Sequence, residues 1–436
     1  QYGRFVTWMQ EHHPEVKELR KVTEAMAFEF ASELGRTVSA NTYNKYLVLF
    51  RRMWKILAKP AGLGANPWLE LNNKLLCTHS RRELTVEELT RVCGSVSGEM
   101  NPAGSVFLDE GNRIKPRDVL VRVEAVGVCG SDIHYYRDGR IGNAVIEEPL
   151  VLGHEYAGIV EEIGSAADNT LMGRRVAVEP GIPCFSCESC RTGHYNVCTG
   201  MFFPGGPGNN GALCEYMAVD ARFCFPVSEA MSAGCAAMVE PAAVAVHTVE
   251  LAALRPGDTV VVFGLGVVGL LTAQLAKVSG AVRVLGIDPL GYRVQAASRY
   301  GVDAGFQARP GGLQEGGKEA LAWIADQTGG RLADVAIDCT NSSEGLALAC
   351  AAARPAGWCV LTGISGSEQD VLPVSLARRR ELTLHWCRRF LNNYPATLAL
   401  IDAGVLDVAG LITHVFPFEE APAAFALTTA YADNVL

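Results

Sequence analysis

Four cysteines with metal-ligand spacing lie within the stretch PCFSCESCRTGHYNVC. Cys184, Cys187, Cys190 and Cys198 follow the pattern C-x2-C-x2-C-x7-C. Each short step lets two thiolates face one ion, and four thiolates complete a tetrahedral zinc shell. Such a shell is closed to water and substrate, so we expect its zinc to stabilise the fold and not to react. Disulfides and an iron–sulfur cluster are alternatives, which the lack of a secretory signal and the flanking residues disfavour.

A second set of potential ligands is scattered along the chain. Cys129 lies in GVCGSDIH, His154 and Glu155 lie in VLGHEYAG, and Glu240 lies in MVEPAAVAVH. One cysteine, one histidine and carboxylates form a mixed shell that can keep an open position, as a catalytic zinc requires. Each residue also has an ordinary interpretation, as a buried cysteine, a capped histidine or a surface glutamate. Spacing alone does not decide between the two.

A glycine pattern typical of dinucleotide-binding turns occurs in TVVVFGLGVVGLLTAQLA. An apolar strand precedes this G-x-G-x-x-G pattern, an apolar helix follows it, and an acid, Asp288, ends the next strand. The glycines allow a tight turn, close approach to a pyrophosphate at the helix N-terminus, and close packing of helix and strand. Asp288 can accept from both ribose hydroxyls and would repel a 2′-phosphate, so we expect NAD, although Arg293 leaves NADP open. The predicted cofactor residues are Gly264, Gly266, Val267, Val268, Gly269, Asp288 and Arg293.

The composition is that of a globular protein with a large core. Of 436 residues, 49% are hydrophobic and 45 are glycine. Fourteen cysteines without a recognisable secretory signal favour the cytoplasm, where thiols stay reduced. The longest uncharged run, Val260 to Ala276, is interrupted by glycines. We interpret it as a buried strand, turn and helix, and expect no membrane span.

The net charge and the residue pattern differ between the first hundred residues and the rest of the chain. Residues 1–100 carry a balance of +3 and residues 101–436 a balance of −12. Helical spacing dominates the first part, with Tyr43, Leu47, Phe50, Trp54 and Leu57 on one face and a capping box at Thr85–Glu88. Short β-rich runs follow from about Ser105. From about Val246 strands alternate with helices, which predicts a parallel, doubly wound sheet.

The helical part resembles the core-binding domain of phage-type tyrosine recombinases. The stretches SANTYNKYLVLFRRMWKILAKPAGLGANPW and RRELTVEELTRVCGSVSGEM carry this resemblance. The catalytic domain that follows in that family is not visible in the sequence, so recombination is not expected. DNA binding by this segment is possible in principle, but a balance of +3 is a weak electrostatic footprint. We therefore favour a leftover or fused helical segment.

From about Val106 onward the chain resembles the zinc-dependent medium-chain dehydrogenases. GVCGSDIHYYRDGRIGNAVIEEPLVLGHEYAGIVEEIG, the four-cysteine stretch, MVEPAAVAVH and the glycine pattern occur in the order of that family. CGSDIHYYRDGRIG, VLGHE and EPAAVAVH are most similar to its polyol (sorbitol and xylitol) dehydrogenase branch. The resemblance implies an α/β chain, with a GroES-like catalytic domain at residues 101–245, completed by 385–436, and a Rossmann NAD-binding domain at 246–384. The small all-α segment at 1–100 precedes them.

The resemblance also assigns roles to residues. It implies two zinc ions per chain: a structural one on the four cysteines, and a catalytic one surrounded by Cys129, His154 and Glu155, with Glu240 as a direct or water-mediated partner. Ser131 and His134 correspond to the proton-relay positions. The positions that line the polyol pocket correspond to Tyr135, Phe203 and Arg389, although Arg389 could also be a surface residue beside Arg388.

The resemblance predicts hydride transfer from a secondary hydroxyl of a polyol to NAD, which gives a ketose. Relatives are commonly dimers or tetramers, so we expect a homo-oligomer. Three alternatives stay open: a threonine or simple secondary-alcohol dehydrogenase, a DNA-binding protein with an inactive dehydrogenase passenger, and a zinc-stabilised binding protein without turnover. Two departures are a first hairpin that is short in SVFLDEGNRIK and an end at YADNVL before an expected last strand. They suggest a truncated, fused product whose activity is reduced or absent.

Overall fold

The computed structural model describes residues 2–18, 21–37, 46, 50, 67–68, 114–309 and 316–436. The chain divides into two compact units, Gln1–Glu83 and Leu84–Leu436.

The first unit contains two helices, α1 (Tyr2–His12) and α2 (Glu24–Thr37). Their apolar faces meet in an aromatic cluster, where the ring centroids of Phe5 and Phe30 are 5.1 Å apart. Phe50, which the helical spacing singled out, is helical and buried in the same cluster. The other positions of that predicted face and the predicted capping box lie outside the described residues: Tyr43, Leu47, Trp54, Leu57 and Thr85–Glu88.

The second unit begins with short strands that form an antiparallel sheet in the order β6-β1-β4-β5-β7. Strand β1 pairs with β4 on one side and with β6 on the other, so it is an interior strand. The predicted short hairpin before β1 lies largely outside the described residues. The strands are β1 (Asp118–Gly127), β2 (Arg140–Ile141), β3 (Ala144–Val145), β4 (Glu155–Ile163), β5 (Arg175–Val178), β6 (Tyr216–Asp220) and β7 (Cys224–Pro226). The helices of this part are α3 (Gly130–Asp138), α4 (Glu188–Arg191), α5 (Ala233–Ala237) and α6 (Val239–Ala252).

A six-stranded parallel sheet follows, in the order β10-β9-β8-β11-β12-β13. This is the strand order of a doubly wound dinucleotide-binding fold, so the predicted fold class is confirmed. Its strands are β8 (Thr259–Phe263), β9 (Arg283–Asp288), β10 (Ala304–Gln307), β11 (Ala333–Asp338), β12 (Ala353–Leu361) and β13 (Thr383–Trp386). The helices are α7 (Val267–Val278), α8 (Gly291–Ala296), α9 (Gly316–Gln327), α10 (Gly345–Ala352), α11 (Val374–Arg379), α12 (Tyr394–Asp402) and α13 (Ala421–Ala430).

Two elements cross the predicted domain boundaries. Helix α6 spans the boundary between residues 245 and 246, and β13 spans the one between 384 and 385. The residues after β13 return to the antiparallel sheet, because Phe390, Tyr394 and Leu398 share a buried cluster with Ala157 of β4. The domain limits therefore stay a prediction.

One stretch among the described residues, Ala233–Ala252, is long and apolar enough to cross a membrane. It comprises α5 and α6, and 78% of its most apolar window is buried inside the fold. Such burial is typical of a core helix of a soluble protein. The uncharged run singled out above forms β8 and α7 of the parallel sheet.

Candidate functional site

The four clustered cysteines converge in the structure. Their sulfur atoms all lie within 4.8 Å of one another, and all four thiols are free. The Cys187 Sγ is 3.4 Å from that of Cys190 and 3.8 Å from that of Cys198. Sulfurs around one tetrahedral zinc stand about 3.8 Å apart, from the usual Zn–S distance of about 2.3 Å. The donor set therefore fits a four-thiolate zinc.

Hydrogen-bond donors in this lobe favour the thiolate form of Cys184. The N–H groups of Cys184 and Cys187 each approach a sulfur atom at 3.3 Å. The Ser186 hydroxyl and the backbone N–H groups of Ser186 and Cys187 lower the pKa of the Cys184 thiol to about 5. Zinc binds the deprotonated form, so these donors prepare the lobe for a cation.

The scattered ligands also meet, because of strand register. Antiparallel pairing sets Gly127 of β1 opposite Glu155 of β4, so Cys129 just after β1 reaches His154 and Glu155. One ligand atom from each of these three residues lies within 4.8 Å of the others. A side chain at Gly127 would overlap the Glu155 carboxylate, which explains the glycine there. Three ligands of mixed chemistry fit a zinc that keeps an open position.

Glu240 lies on the first turn of α6 and is buried, but it is not within that 4.8 Å group. It interacts electrostatically with both His154 and Glu155. Burial raises the pKa of Glu155 to about 7 and that of Glu240 to about 8. It also raises the pKa of the Cys129 thiol to about 11. A cation among these groups would favour their ionised forms, which is consistent with a metal centre.

Asp132, which the sequence did not single out, contacts the mixed ligand group formed by Cys129, His154 and Glu155. It is 1% exposed, and its carboxylate accepts from the N–H groups of Cys129 at 3.1 Å and Gly153 at 3.2 Å. Its Oδ1 lies 3.6 Å from Nδ1 of His154, a buried nitrogen with no hydrogen-bond partner. Burial lowers the pKa of His154, but the charges of Asp132 and Cys129 outweigh it, so the pKa is raised. A carboxylate behind a ligating histidine is typical of zinc sites.

The predicted relay residues follow on α3. His134 is buried, and its Nε2 lies 3.1 Å from the carbonyl oxygen of Ile364, beyond the end of β12. Its Nδ1 lies 3.4 Å from a carboxylate oxygen of Asp138. Ser131 is half-buried, and within the described residues no hydrogen bond joins it to His134. The structure thus places His134 between the two sheets, and the relay role of both residues stays a prediction.

The predicted pocket residues lie on one side of the mixed group. The Phe203 ring centroid is 5.1 Å from that of His154, and the Arg389 guanidinium is 3.8 Å from the Phe203 centroid. Burial raises the pKa of Tyr135, whereas the nearby positive charges of Arg388, His154 and Arg389 act to lower it. Tyr135, Phe203 and Arg389 are therefore neighbours of the candidate metal centre.

The glycine pattern forms the turn between β8 and α7. Gly264 has φ +84°, which favours glycine, and Gly266 is the N-cap of α7. A side chain at Gly269 would collide with the carbonyl oxygen of Gly264. The Asp288 carboxylate accepts from Leu265 N–H at 2.7 Å, which ties the acid at the end of β9 to this turn.

Arg293 lies beside this turn. Its Nη1 is 4.0 Å from Asp288 Oδ2, and its Nη2 donates to the carbonyl oxygen of Val435 at 3.3 Å. Val267 and Val268 are half-buried at the start of α7. All seven predicted cofactor residues therefore lie at or beside one turn.

Comparison with known proteins agrees with this geometry. Residues 115–229 match the family model "Alcohol dehydrogenase GroES-like domain", and residues 267–403 match "Zinc-binding dehydrogenase". D-xylulose reductase A of Aspergillus niger is 38% identical, over 71% of this chain and 86% of that protein. The chain belongs to the zinc-dependent medium-chain dehydrogenases.

Two further members extend the comparison. Sorbitol dehydrogenase of Bacillus subtilis is 32% identical over 84% of this chain and 96% of its own length. The structure of L-idonate 5-dehydrogenase from Escherichia coli is 26% identical, with a TM-score of 0.64, over 73% of this chain and 89% of that one. Neither family-model match includes residues 1–114, so the resemblance to recombinases stays a prediction. Membership of the dehydrogenase family implies zinc and a pyridine nucleotide.

Proposed function

We propose that this protein is an NAD-dependent, zinc-containing polyol dehydrogenase that oxidises a secondary hydroxyl of a sorbitol-, xylitol- or iditol-type substrate to a ketose. The observation that carries the proposal is the group formed by Cys129, His154 and Glu155, which lies beside the polar and aromatic pocket residues. The names of the relatives from Aspergillus niger and Bacillus subtilis favour a polyol over a simple alcohol or threonine.

Two zinc ions per chain are proposed, one on the four-cysteine lobe and one on Cys129, His154 and Glu155, with Glu240 as a direct or water-mediated partner. When bound, the second ion supplies the Lewis acidity that lowers the pKa of an alcohol, and the nicotinamide accepts hydride. His134 is buried at the junction of the two sheets and can carry a proton away from the site together with Ser131.

The remaining residues orient the substrate. Arg389 presents a planar fork that can bond neighbouring hydroxyls, and Tyr135 adds a phenol. Phe203 lies between Arg389 and His154, where it excludes water from the reacting carbon. These contacts would hold one hydroxyl of a polyol at the metal and its neighbours at the arginine.

NAD is proposed over NADP because Asp288 ends β9 at the glycine turn. Assembly into a dimer or tetramer is proposed because relatives are commonly oligomeric, and a cytoplasmic location is proposed because the cysteines of the described residues are free thiols. DNA binding by residues 1–100 is not favoured, because their positive charge is small.

The decisive experiment measures zinc stoichiometry and NADH formation on the same preparation. The wild-type chain should bind two zinc ions and form NADH with sorbitol or xylitol. Cys129→Ser should keep one zinc and bind NAD, but lose turnover, since a hydroxyl is a poor zinc ligand. Cys235→Ser is the matched control, because Cys235 lies outside both ligand groups. Normal turnover in Cys129→Ser would overturn the assignment.

A further inference from the structure

Two adjacent arginines stand at the substrate side of the candidate site. Arg389 is half-buried over Phe203, and Arg388 is exposed to solvent beside it. Both interact electrostatically with Tyr135, which lies on α3 six residues after its N-cap Cys129. Among the described residues neither guanidinium forms an ion pair with a carboxylate, and the negative charge that acts on Arg389 is that of Glu240. Arg388 therefore has no carboxylate partner among the described residues, and Arg389 has only the longer-range charge of Glu240.

The segment that carries these arginines is held in an unusual conformation. Arg389 has a φ of +58°, in the left-handed region that a long side chain rarely adopts, and Asn392, a residue type that tolerates this region, has a φ of +53°. Two residues of the four-cysteine lobe hold the segment: Asn196 Nδ2 donates to the Arg388 carbonyl at 3.0 Å, and the Tyr195 hydroxyl accepts from the Asn392 N–H at 3.0 Å. Backbone strain that is fixed by outside contacts is typical of functional positions.

The electrostatics of the pair favour an anionic partner. Burial and the neighbouring charge of Arg388 lower the pKa of Arg389 to about 9. An oxyanion between two guanidinium groups would relieve their repulsion and accept several charge-assisted hydrogen bonds. A neutral polyol offers only hydroxyl oxygens and leaves the repulsion in place.

We propose that Arg388 and Arg389 form an oxyanion subsite, so that the preferred substrate is a polyol with a terminal carboxylate or phosphate. This inference rests on the proposed polyol oxidation. The reaction is unchanged: hydride leaves the carbinol carbon for NAD, the hydroxyl proton leaves, and a ketone forms. The anionic group takes no part in these steps and serves to set which hydroxyl reaches the metal centre.

The test compares D-sorbitol, L-idonate and sorbitol 6-phosphate as substrates with saturating NAD. The wild type should prefer one of the anionic substrates in kcat/KM, mainly through KM, and the preference should fall as KCl rises. Arg388→Gln should reduce the anionic-to-neutral ratio by about 10- to 100-fold, and Arg388→Lys should reduce it less. Arg379→Gln removes the same charge from an exposed position on α11 and should leave the ratio unchanged. Preference for L-idonate identifies a carboxylate and preference for the phosphate ester identifies a phosphoryl group.

Calorimetric titration of the holoenzyme with inorganic phosphate and with D-gluconate separates this inference from the proposed activity. Binding in the wild type that is lost in Arg388→Gln supports the subsite even if no substrate in the set is oxidised. Oxidation of sorbitol without a preference for either anion, or an equal loss of the ratio in Arg388→Gln and Arg379→Gln, overturns the subsite while the polyol dehydrogenase stands.

Discussion

Asp132 offers the sharpest test of how the candidate metal centre is held together. Its carboxylate joins three parts of the site: the N–H of Cys129, the N–H of Gly153, and the ring of His154. Asp132→Asn keeps the size of the side chain and removes its charge and one acceptor. We expect the fold to persist and the mixed ligand group to lose much of its affinity for zinc.

The magnitude follows from these contacts. The amide oxygen can accept from only one of the two N–H groups, so the other faces the amide NH2 in a site where residue 132 is 1% exposed. An unsatisfied buried donor costs about 1 to 3 kcal/mol. The melting temperature should therefore fall by several degrees, since each kcal/mol lowers it by about 2 to 4 °C in a large domain. Loss of the carboxylate behind His154 should weaken zinc binding about 10- to 100-fold.

The assay uses the four-cysteine lobe as an internal reference. Metal is removed with a chelator, and zinc is then returned in competition with a chromophoric indicator. The wild type should show two classes of site, and Asp132→Asn should weaken only one. Asp168→Asn is a matched control, because Asp168 is exposed and caps a short turn that asparagine caps equally well.

Two results would refute the reasoning. If Asp132→Asn binds zinc in both classes with wild-type affinity, the carboxylate does not support the histidine. If it weakens both classes equally, the effect is a general loss of stability and not a local one at His154.

Two further predictions concern the parallel sheet. Gly269→Ala places a methyl group against the Gly264 carbonyl oxygen, which costs about 1 to 3 kcal/mol through overpacking. The substitution should therefore weaken NAD binding, as measured by calorimetry. Unchanged affinity for NAD would show that α7 can shift freely. Burial opposes ionisation of Asp334, but hydrogen bonds from Arg331, the Thr259 N–H and Arg354 outweigh it and hold the pKa of Asp334 well below its usual range. This carboxylate therefore adds stability above about pH 4 that is lost as the pH falls toward its folded-state pKa. Asp334→Asn should reduce the free energy of unfolding at pH 7 by about 2 to 3 kcal/mol and flatten the acid side of the melting profile, whereas superimposable profiles would contradict the assignment.

The parallel sheet could be predicted from the sequence because its signals are local. The glycines, the strand before them and Asp288 at the end of the next strand all lie within one β-α-β unit. The dinucleotide-binding roles of these residues require both the glycine turn and an acid beside it, and in the structure Asp288 accepts a hydrogen bond from that turn. The domain limits are harder to predict, because α6 and β13 run across the predicted boundaries without a break in their residue pattern.

Asp132 could not be identified from the sequence for the opposite reason. Within GSDIH an aspartate three residues after Cys129 predicts a helix cap, and the structure does have it accept from the Cys129 N–H. Its second partner, Gly153, is brought to it only by the pairing of β1 with β4. The signal that could have found it is an acid just after one candidate ligand in a strand-to-helix turn.

The two candidate metal centres differ in what must fold before they exist. The four thiols come from one short lobe, in which backbone N–H groups already face the sulfurs. The mixed group needs the register of β1 against β4, and its pocket needs the strained segment at Arg389. Tyr195 and Asn196 of the lobe hold that segment. The four-cysteine lobe can therefore influence the candidate pocket without being part of it, because Tyr195 and Asn196 fix the segment that carries the arginines.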